Sequence, residues 1–440
     1  MKNLNLLHDV KITGVEKKQR VEVEQMLIPE IERIKSAVGT GYETPYASIN
    51  LPSDVRLIKD IKRIIAEKKE KHKPTMLIVI GIGGSNFGTI AIHQALNGLF
   101  YNEQSPDIKL YFVDSVDSDY VQTVYQFAQQ ELDAGRNVLV NVVSKSGTTT
   151  ETVVNFELFY ELLRKKRPDN YQELIVATTD EGSKLWRLAI EEGFTSFHVP
   201  KKVGGRYSVF SAVGLFPLAF IGIDIDKLLS GAGAMVDLCT QHKNPAATSA
   251  ATIFAQYQKG RTIHDSFFFS KQLAGVGGWY RQLVGEGLGK EKNLAGEVVN
   301  VGITPTVSIG TNDLHSVTQL YLAGPHDKFT TFITVQKGVD VRVPTLPQFE
   351  GFVANVQGMA FDDLRSAIVG GMYRAYEQKK RPFMGIEFQE LSAEALGAFL
   401  QMKMLEVMFL GFLFDINPFN QPQVELYKAG TKEILLARRS

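Results

Sequence analysis

The run from Val142 to Thr152 most constrains the fold of this chain, because it joins a strand pattern directly to a helix pattern. Residues 137–143 are rich in valine, as in a parallel strand that is buried on both faces. Residues 151–163 then place apolar side chains at helical spacing. The loop between them holds hydroxyl side chains, one glycine and one lysine. This order predicts one βα unit of an α/β fold.

The loop itself predicts an anion site. Its polar side chains are Ser144, Lys145, Ser146, Thr148 and Thr149, with no acidic residue among them. Hydroxyl groups, an ammonium group and the free N–H groups of a helix N-terminus all favour a bound anion. The alternative is an ordinary βα turn with a threonine cap. The number of small and hydroxyl residues favours a phosphate or sulfate cradle.

The same alternation recurs along the chain. Strand patterns occur at 76–80, 108–113, 138–143, 174–178, 262–269, 329–335 and 383–388. Helical patterns lie between them, and two long ones at 393–412 and 422–437 end the chain. The alternation predicts two doubly wound, mostly parallel sheets with a helical C-terminal region. Ligands of such sheets bind at the carboxyl ends of the strands.

Changes in this pattern predict three regions. Residues 1–72 are polar with helical patterns at 17–38 and 53–71, and we expect them to pack on the core. Residues 73–200 form the first α/β domain, and residues 201–440 form the second domain with the C-terminal helices. No low-complexity linker marks the border near 195–205.

Composition restricts the partners and the compartment. Lys+Arg and Asp+Glu both number 48, so no global field favours nucleic acid or an anionic membrane. The single cysteine, Cys239, excludes an internal disulfide and fits a reducing compartment. The start lacks the apolar core of a signal peptide, and the apolar run 404–414 is too short to span a bilayer. We expect a cytoplasmic protein without nucleic-acid or membrane partners.

A glycine-rich loop, Gly81 to Gly88, follows the first strand of this alternation. A dinucleotide fingerprint needs a third glycine where Asn86 stands, which disfavours NAD. Gly84 and Ser85 instead bring a hydroxyl group where a phosphate or sugar oxygen could bind. A glycine turn without a ligand is the alternative.

Three residues downstream carry charge or an amide suited to catalysis. Arg206 sits in a Gly-Gly-Arg-Tyr-Ser turn, where a guanidinium group could stabilise a developing oxyanion. Gln282 and Glu286 are four residues apart and would share one helical face, with glycines on both sides of Glu286. Considered alone, an arginine such as Arg206 is more commonly a surface residue, and a glutamate such as Glu286 is more commonly a solvated surface acid.

Further candidates lie nearer the C-terminus. His315 stands near a predicted helix start, where a neutral imidazole can exchange a proton near pH 7. Lys428 lies on an amphipathic pattern, with Gln421 two turns earlier. Alone, each would be an ordinary structural or surface residue. The sequence contains no zinc spacing, Walker motif or nucleophile elbow, so we expect neither a metal nor a cofactor.

Taken together and in this order, the motifs resemble the glucose-6-phosphate isomerase family, whose members have two sugar-isomerase (flavodoxin-like) domains. The matches run from Gly81 to Lys428. The resemblance implies reversible isomerisation of glucose 6-phosphate and fructose 6-phosphate through a cis-enediol(ate), in glycolysis and gluconeogenesis. It also implies a homodimer in which the partner chain donates the histidine.

The resemblance assigns a role to each candidate. Glu286 would move the proton between C2 and C1, Arg206 would stabilise the enediolate, and His315 and Lys428 would assist ring opening. The residues expected to bind the phosphate or the sugar are Gly84, Ser85, Ser144, Lys145, Ser146, Thr148, Thr149, Gln282 and Gln421.

Two other functions stay open at this stage. An isomerase of mannose or amino-sugar phosphates would share the fold, and pocket shape would set the choice of epimer. A sugar-phosphate sensor would need the hydroxyl loop but no base, so the presence of Glu286, Arg206, His315 and Lys428 together argues against it.

Overall fold

Two five-stranded sheets organise the computed structural model, which describes residues 4–437. The strands are β1 Leu4–Leu7, β2 Pro74–Ile80, β3 Lys109–Val113, β4 Asn137–Val143, β5 Ile175–Thr179, β6 Thr195–His198, β7 Ile263–Phe268, β8 Lys290–Lys292, β9 Val298–Val301, β10 Thr304–Ile309, β11 Lys328–Lys337 and β12 Phe383–Glu390.

Helices cover both sheets. They are α1 Val10–Thr13, α2 Lys17–Met26, α3 Ile28–Ala37, α4 Val55–His72, α5 Phe87–Asn97, α6 Ser118–Asp133, α7 Thr150–Lys166, α8 Lys184–Glu192, α9 Ala212–Phe220, α10 Ile225–Cys239, α11 Pro245–Gln258, α12 Ala274–Leu288, α13 Gly310–Ser316, α14 Thr318–Ala323, α15 Phe361–Gln378, α16 Ala393–Leu413 and α17 Val424–Ala437. The predicted α/β fold class is confirmed.

The first sheet is parallel throughout, in the order β3-β2-β4-β5-β6. Strands β2 and β4 are buried along almost their whole length, as their valine and isoleucine content predicts. The chain leaves β2 toward β3 on one side and later returns to β4 on the other. The topological switch point therefore lies between β2 and β4. The glycine loop and the hydroxyl loop leave these two strands at their carboxyl ends.

The second sheet has the order β1-β12-β11-β7-β10. Its last four strands are parallel, whereas β1 adds to β12 in antiparallel register, with Leu4 opposite Phe388. We did not predict β1 from the sequence, because four residues carry too little alternation. The N-terminal region thus contributes a strand as well as helices.

Helix α16 lies in the largest core cluster and packs against α10, α11 and α12. Within residues 4–437, α16 is the one helix whose length and composition would allow it to cross a membrane. However, 89% of its apolar 18-residue stretch is buried inside the protein. It is therefore a core helix. It approaches α10 so closely that a Cβ on Gly397 would lie 1.9 Å from the carbonyl oxygen of Leu228.

Two predicted helix boundaries were wrong. The pattern at 17–38 forms two helices, α2 and α3, which meet at Leu27, and a proline occupies the first turn of α3. The apolar pattern at 207–221 also predicts a helix, but the helix begins only at Ala212, where the Ser211 hydroxyl accepts from the backbone of the first turn. The preceding residues Gly205–Tyr207 form a 3-10 turn.

The two halves of the chain meet at the glycine loop. Helix α12 packs against α5, and the Gly205–Tyr207 turn packs against the 3-10 turn Gly83–Ser85. Residues from both halves therefore contribute to one region. The division into 1–72, 73–200 and 201–440 stays a prediction.

Candidate active site

Arg206 is the centre of the polar cluster. Its guanidinium is buried, and one nitrogen donates to Glu286 Oε2 at 3.1 Å and to Gln421 Oε1 at 2.9 Å. The other nitrogen donates to the carbonyls of Pro418 and Asn420. The alternative of an exposed surface arginine is therefore wrong. A buried guanidinium needs such partners, because an unpaired buried charge is strongly unfavourable.

Glu286 and Gln282 share one face of α12, as their spacing predicts. The Gln282 amide nitrogen donates to Glu286 Oε1 at 2.9 Å, so both carboxylate oxygens have a partner. The Glu286 side chain is still 29% exposed, which leaves it accessible to a ligand. The Gln282 Oε1 atom is buried and, among residues 4–437, has no hydrogen-bond partner. It is an acceptor that a sugar hydroxyl could satisfy.

The glycine loop touches this cluster. A Cβ on Gly84 would lie 2.2 Å from the carbonyl carbon of Gly205, so only glycine allows this close approach. A Cβ on Gly83 would lie 3.0 Å from the Gln282 amide nitrogen. The loop thereby brings the first sheet against both the Arg206 turn and α12.

The hydroxyl loop lies next to the glycine loop, since a Cβ on Gly81 would lie 3.0 Å from the Val143 carbonyl oxygen. Ser144 is buried and donates to the Thr149 hydroxyl at 3.1 Å, while Thr148 donates to the Ser146 hydroxyl at 3.2 Å. Thr149 occupies the N-cap position of α7 but makes no side-chain cap bond. The threonine-cap alternative therefore does not apply, and N–H groups of the first turn remain available to an anion.

Lys145 links the hydroxyl loop to the Arg206 turn. Its ammonium donates to the carbonyls of Lys201 and Val203 at 2.7 and 2.8 Å, just before that turn begins. Burial lowers the pKa of Lys145, and the nearby Asp180 opposes this change. The amine is thus held by backbone oxygens and contributes positive charge beside the loop.

A cavity of about 440 Å³ opens beside Glu286 and Gln421. Lys290 also lines it, and its ammonium donates to the carbonyls of Glu286 and Asn420. Sequence reasoning missed Lys290. Its spacing of four residues from Glu286 gives no helical signal, because α12 ends at Leu288 and Lys290 begins β8.

The structure does not bring His315 and Lys428 into this cavity. His315 is exposed in the last turn of α13 rather than near a helix start. Lys428 is exposed on α17 and pairs with Glu425 at 2.7 Å. No residue of α17 that the structure describes is buried. Their assignment to the site stays a prediction.

A second cavity, of about 530 Å³, lies between α7 and α8. Gly147 and Thr148 of the hydroxyl loop line its edge, but most of its wall is apolar, including Phe156, Leu185 and Leu188. It contains none of the residues of the Arg206 cluster. The first cavity has the more polar wall, since Glu286, Lys290 and Gln421 line it, and polar groups of this kind fix the orientation of a sugar. No residue of the hydroxyl loop lines the first cavity.

Comparison with known proteins gives a consistent family. The family model described as phosphoglucose isomerase matches residues 67–439. A glucose-6-phosphate isomerase of Carboxydothermus hydrogenoformans is 34% identical over 388 residues, which is 86% of this chain and 82% of that protein. The glucose-6-phosphate isomerase of Methanocaldococcus jannaschii is 34% identical over 352 residues, covering 79% and 81% respectively.

Solved structures have the same fold. A hypothetical protein from Thermus thermophilus superposes with a TM-score of 0.86 at 28% identity, covering 98% of this chain and 99% of that one. A glucose-6-phosphate isomerase from Chlamydia trachomatis superposes with a TM-score of 0.78 at 23% identity, covering 97% and 87%. The second match supports the fold alone.

Proposed function

The chain belongs to the phosphoglucose isomerase family, and from that premise we propose that the Arg206–Glu286 cluster and the hydroxyl loop act on one substrate. The reaction of the family is the reversible interconversion of glucose 6-phosphate and fructose 6-phosphate, an aldose–ketose isomerisation in glycolysis and gluconeogenesis. The observation that carries the proposal is the continuous set of contacts from the hydroxyl loop, through the glycine loop, to Gln282 and Glu286.

The hydroxyl loop holds the phosphate in this proposal. The hydroxyl groups of Ser144 and Thr149, the first turn of α7 and the charge of Lys145 all favour a dianion. Anchoring the sugar at its phosphate determines where C1 and C2 lie. This reduces the entropic cost of bringing them to a base.

Glu286 is the base. It takes the proton from C2 of the open-chain sugar, the electron pair forms the enediol(ate), and the same carboxyl group returns the proton to C1. Negative charge develops on the sugar oxygen during this step, and the buried guanidinium of Arg206 lies beside Glu286 to stabilise it. Gln282 orients the carboxylate and offers its free Oε1 to a sugar hydroxyl.

His315 and Lys428 assist ring opening in an assembled homodimer, where the partner chain supplies His315. The support is their exposure within one chain, together with the apolar surface of α17, where Leu426 is 70% and Leu436 is 64% exposed. An exposed apolar helix face is typical of a protein–protein contact.

Light scattering would measure the molecular mass of the assembly and so test for a dimer. If each active site contains residues of both chains, mixing the Glu286→Gln and His315→Ala variants should restore activity that each variant lacks alone.

We also propose a cytoplasmic location. Its support is the composition together with Cys239, which is a buried free thiol, as expected in a reducing compartment.

The central experiment is a coupled assay with purified protein. We expect conversion of glucose 6-phosphate to fructose 6-phosphate and the reverse, with slower turnover of mannose 6-phosphate and amino-sugar phosphates. Binding of glucose 6-phosphate without turnover would favour a sensor and contradict the proposal. Faster turnover of another epimer would reassign the substrate but keep the reaction class.

A further inference from the structure

Lys290 begins β8, two residues after α12 ends, and only 8% of it is exposed. A lysine is rarely so buried unless its ammonium is paired. Neighbouring Lys292, two positions along the same strand, is exposed. The burial of Lys290 therefore needs a local explanation rather than one that holds for the whole strand.

Two carbonyl groups provide that explanation. The Lys290 ammonium donates to the carbonyl of Glu286, which lies in the last turn of α12. Carbonyls of a last turn lack partners inside the helix, and a cation there satisfies them and interacts favourably with the helix dipole. The ammonium also donates to the carbonyl of Asn420 at 2.8 Å.

The Asn420 carbonyl is shared. Arg206 donates to the same oxygen at 3.2 Å, and Gln421, the next residue, accepts from Arg206 at 2.9 Å. Lys290 thus joins three parts of the site: the turn carrying Glu286, the 418–421 segment, and, through the shared carbonyl, the guanidinium of Arg206.

The charges around Lys290 are unbalanced. Two buried cations, Lys290 and Arg206, face one carboxylate, Glu286. Burial, followed by repulsion from Arg206, lowers the pKa of Lys290 to about 8, while Glu286 opposes this shift. An apolar side chain at this position would leave the carbonyls of Glu286 and Asn420 without this donor. The ammonium therefore fixes these two carbonyls relative to each other, beside the guanidinium of Arg206.

We propose that Lys290 is a positioning residue for the isomerisation: its ammonium holds the backbone of Glu286 at a constant distance from Arg206 and Gln421. This inference rests on the proposed function. It predicts that Lys290 acts on the proton-transfer step, which depends on the relative geometry of base and cation, and hardly on capture of the phosphate, which occurs at the hydroxyl loop.

The experiment compares Lys290→Met, Lys290→Gln and, as a control, Lys243→Met by steady-state kinetics with glucose 6-phosphate. Lys243 is exposed and lies outside the cavity. Methionine is close to lysine in length but cannot donate, and glutamine restores an N–H donor group without charge. We expect kcat to fall about 10- to 100-fold in Lys290→Met with KM within about threefold of wild type, because small misplacements of reacting groups have effects of this size. Lys290→Gln should lie between Lys290→Met and wild type, and Lys243→Met should match wild type.

Several results would overturn the proposal. They are an unchanged kcat in Lys290→Met, or an effect confined to KM, or the same loss of kcat in Lys243→Met. If Lys290→Met does not fold, Lys290→Gln decides, since a folded Lys290→Gln with wild-type kcat also contradicts the role. Absence of turnover in the wild type would instead refute the proposed function and is thereby distinguished from failure of this inference.

Discussion

Helix α12 contacts two charged networks, a closed one at the middle of the helix and an open one near its C-terminal end, and they differ in a way that separates structure from chemistry. At the middle, Tyr280 donates to Glu406 at 2.5 Å, and Glu406 also accepts from Lys403 at 2.8 Å and from Ser249. In this closed network Glu406 and Lys403 are fully enclosed. Near the C-terminal end, Glu286 pairs with Arg206 but remains partly exposed to a cavity.

The two networks also differ in how completely they are satisfied. Both oxygens of Glu406 are bonded, and the Lys403 ammonium lies 4.8 Å from the centre of the Tyr280 ring. In the open network, Arg206 Nε and Gln282 Oε1 have no hydrogen-bond partners within residues 4–437. A closed network stabilises one conformation, whereas an open one retains capacity for a substrate.

The largest expected effect is on turnover, in the open network. Glu286→Gln should lower kcat by about 10²–10⁴-fold, because positioned acid–base groups contribute this much, while substrate affinity largely survives. Steady-state kinetics and substrate titration measure both. The exposed Glu297→Gln, in the turn between β8 and β9, is the matched control. Turnover within a few-fold of wild type would remove Glu286 from the mechanism.

In the closed network the expected effect is on stability. Glu406→Gln should lower the free energy of unfolding by about 3–5 kcal/mol, because it leaves Lys403 buried without a counter-charge. Chemical denaturation measures this change. The double variant Lys403→Met with Glu406→Leu should recover most of the loss, since both charges are then gone. A single variant as stable as wild type would mean that the pair is dispensable.

A smaller effect is expected at the hydroxyl loop. Ser144→Ala with Thr149→Ala should raise KM for glucose 6-phosphate roughly 10-fold, because hydrogen bonds to a charged group are lost. We expect kcat to change less than KM. Thr123→Ala, on an exposed face of α6, controls for loss of a surface hydroxyl. An unchanged KM would locate the phosphate elsewhere.

A separate effect concerns pH and His264, whose ring lies beside Tyr280 in the closed network. Burial, with repulsion from Lys403, lowers the pKa of His264 to about 3, and its ring nitrogen is 2.7 Å from the Thr331 hydroxyl. The histidine of the unfolded chain binds a proton near pH 6.5, so stability is complete above that pH and decreases as pH falls toward 3.

Denaturation between about pH 7 and pH 4, a range that spans the ordinary histidine pKa, tests this. His264→Gln should flatten the decrease, but only in part, because burial also lowers the pKa of His93 to about 4 and gives the same sign. The exposed His242→Gln serves as the control. Equal slopes in wild type and His264→Gln would contradict the assignment.

Much of the fold was accessible from local pattern. The valine-rich run before Ser144 and the apolar run before Gly81 are β4 and β2, and the loops after them are neighbours because parallel strands end at the same edge. The predicted spacing of Gln282 and Glu286 also holds, since both lie on α12 and their side chains bond. These features depend on sequence neighbours within a few turns.

Other features needed contacts between distant residues. Strand β1 exists because β12 offers it an edge, and its own four residues carry almost no strand pattern. The local sequence around Arg206 resembles that of a surface residue. The guanidinium is enclosed by the 418–421 segment, and Pro418 lies 212 positions further along the chain.

The sequence by itself determined which chemical groups are present and in which βα units they stand, because periodicity and turn residues act locally. Tertiary structure alone decided which of those groups meet. Burial of Arg206, its pairing with Glu286 and Gln421, and the position of Lys290 all follow from packing α12 and the 418–421 segment against the glycine loop. Such packing depends on shape and desolvation across the whole chain, which no local pattern specifies.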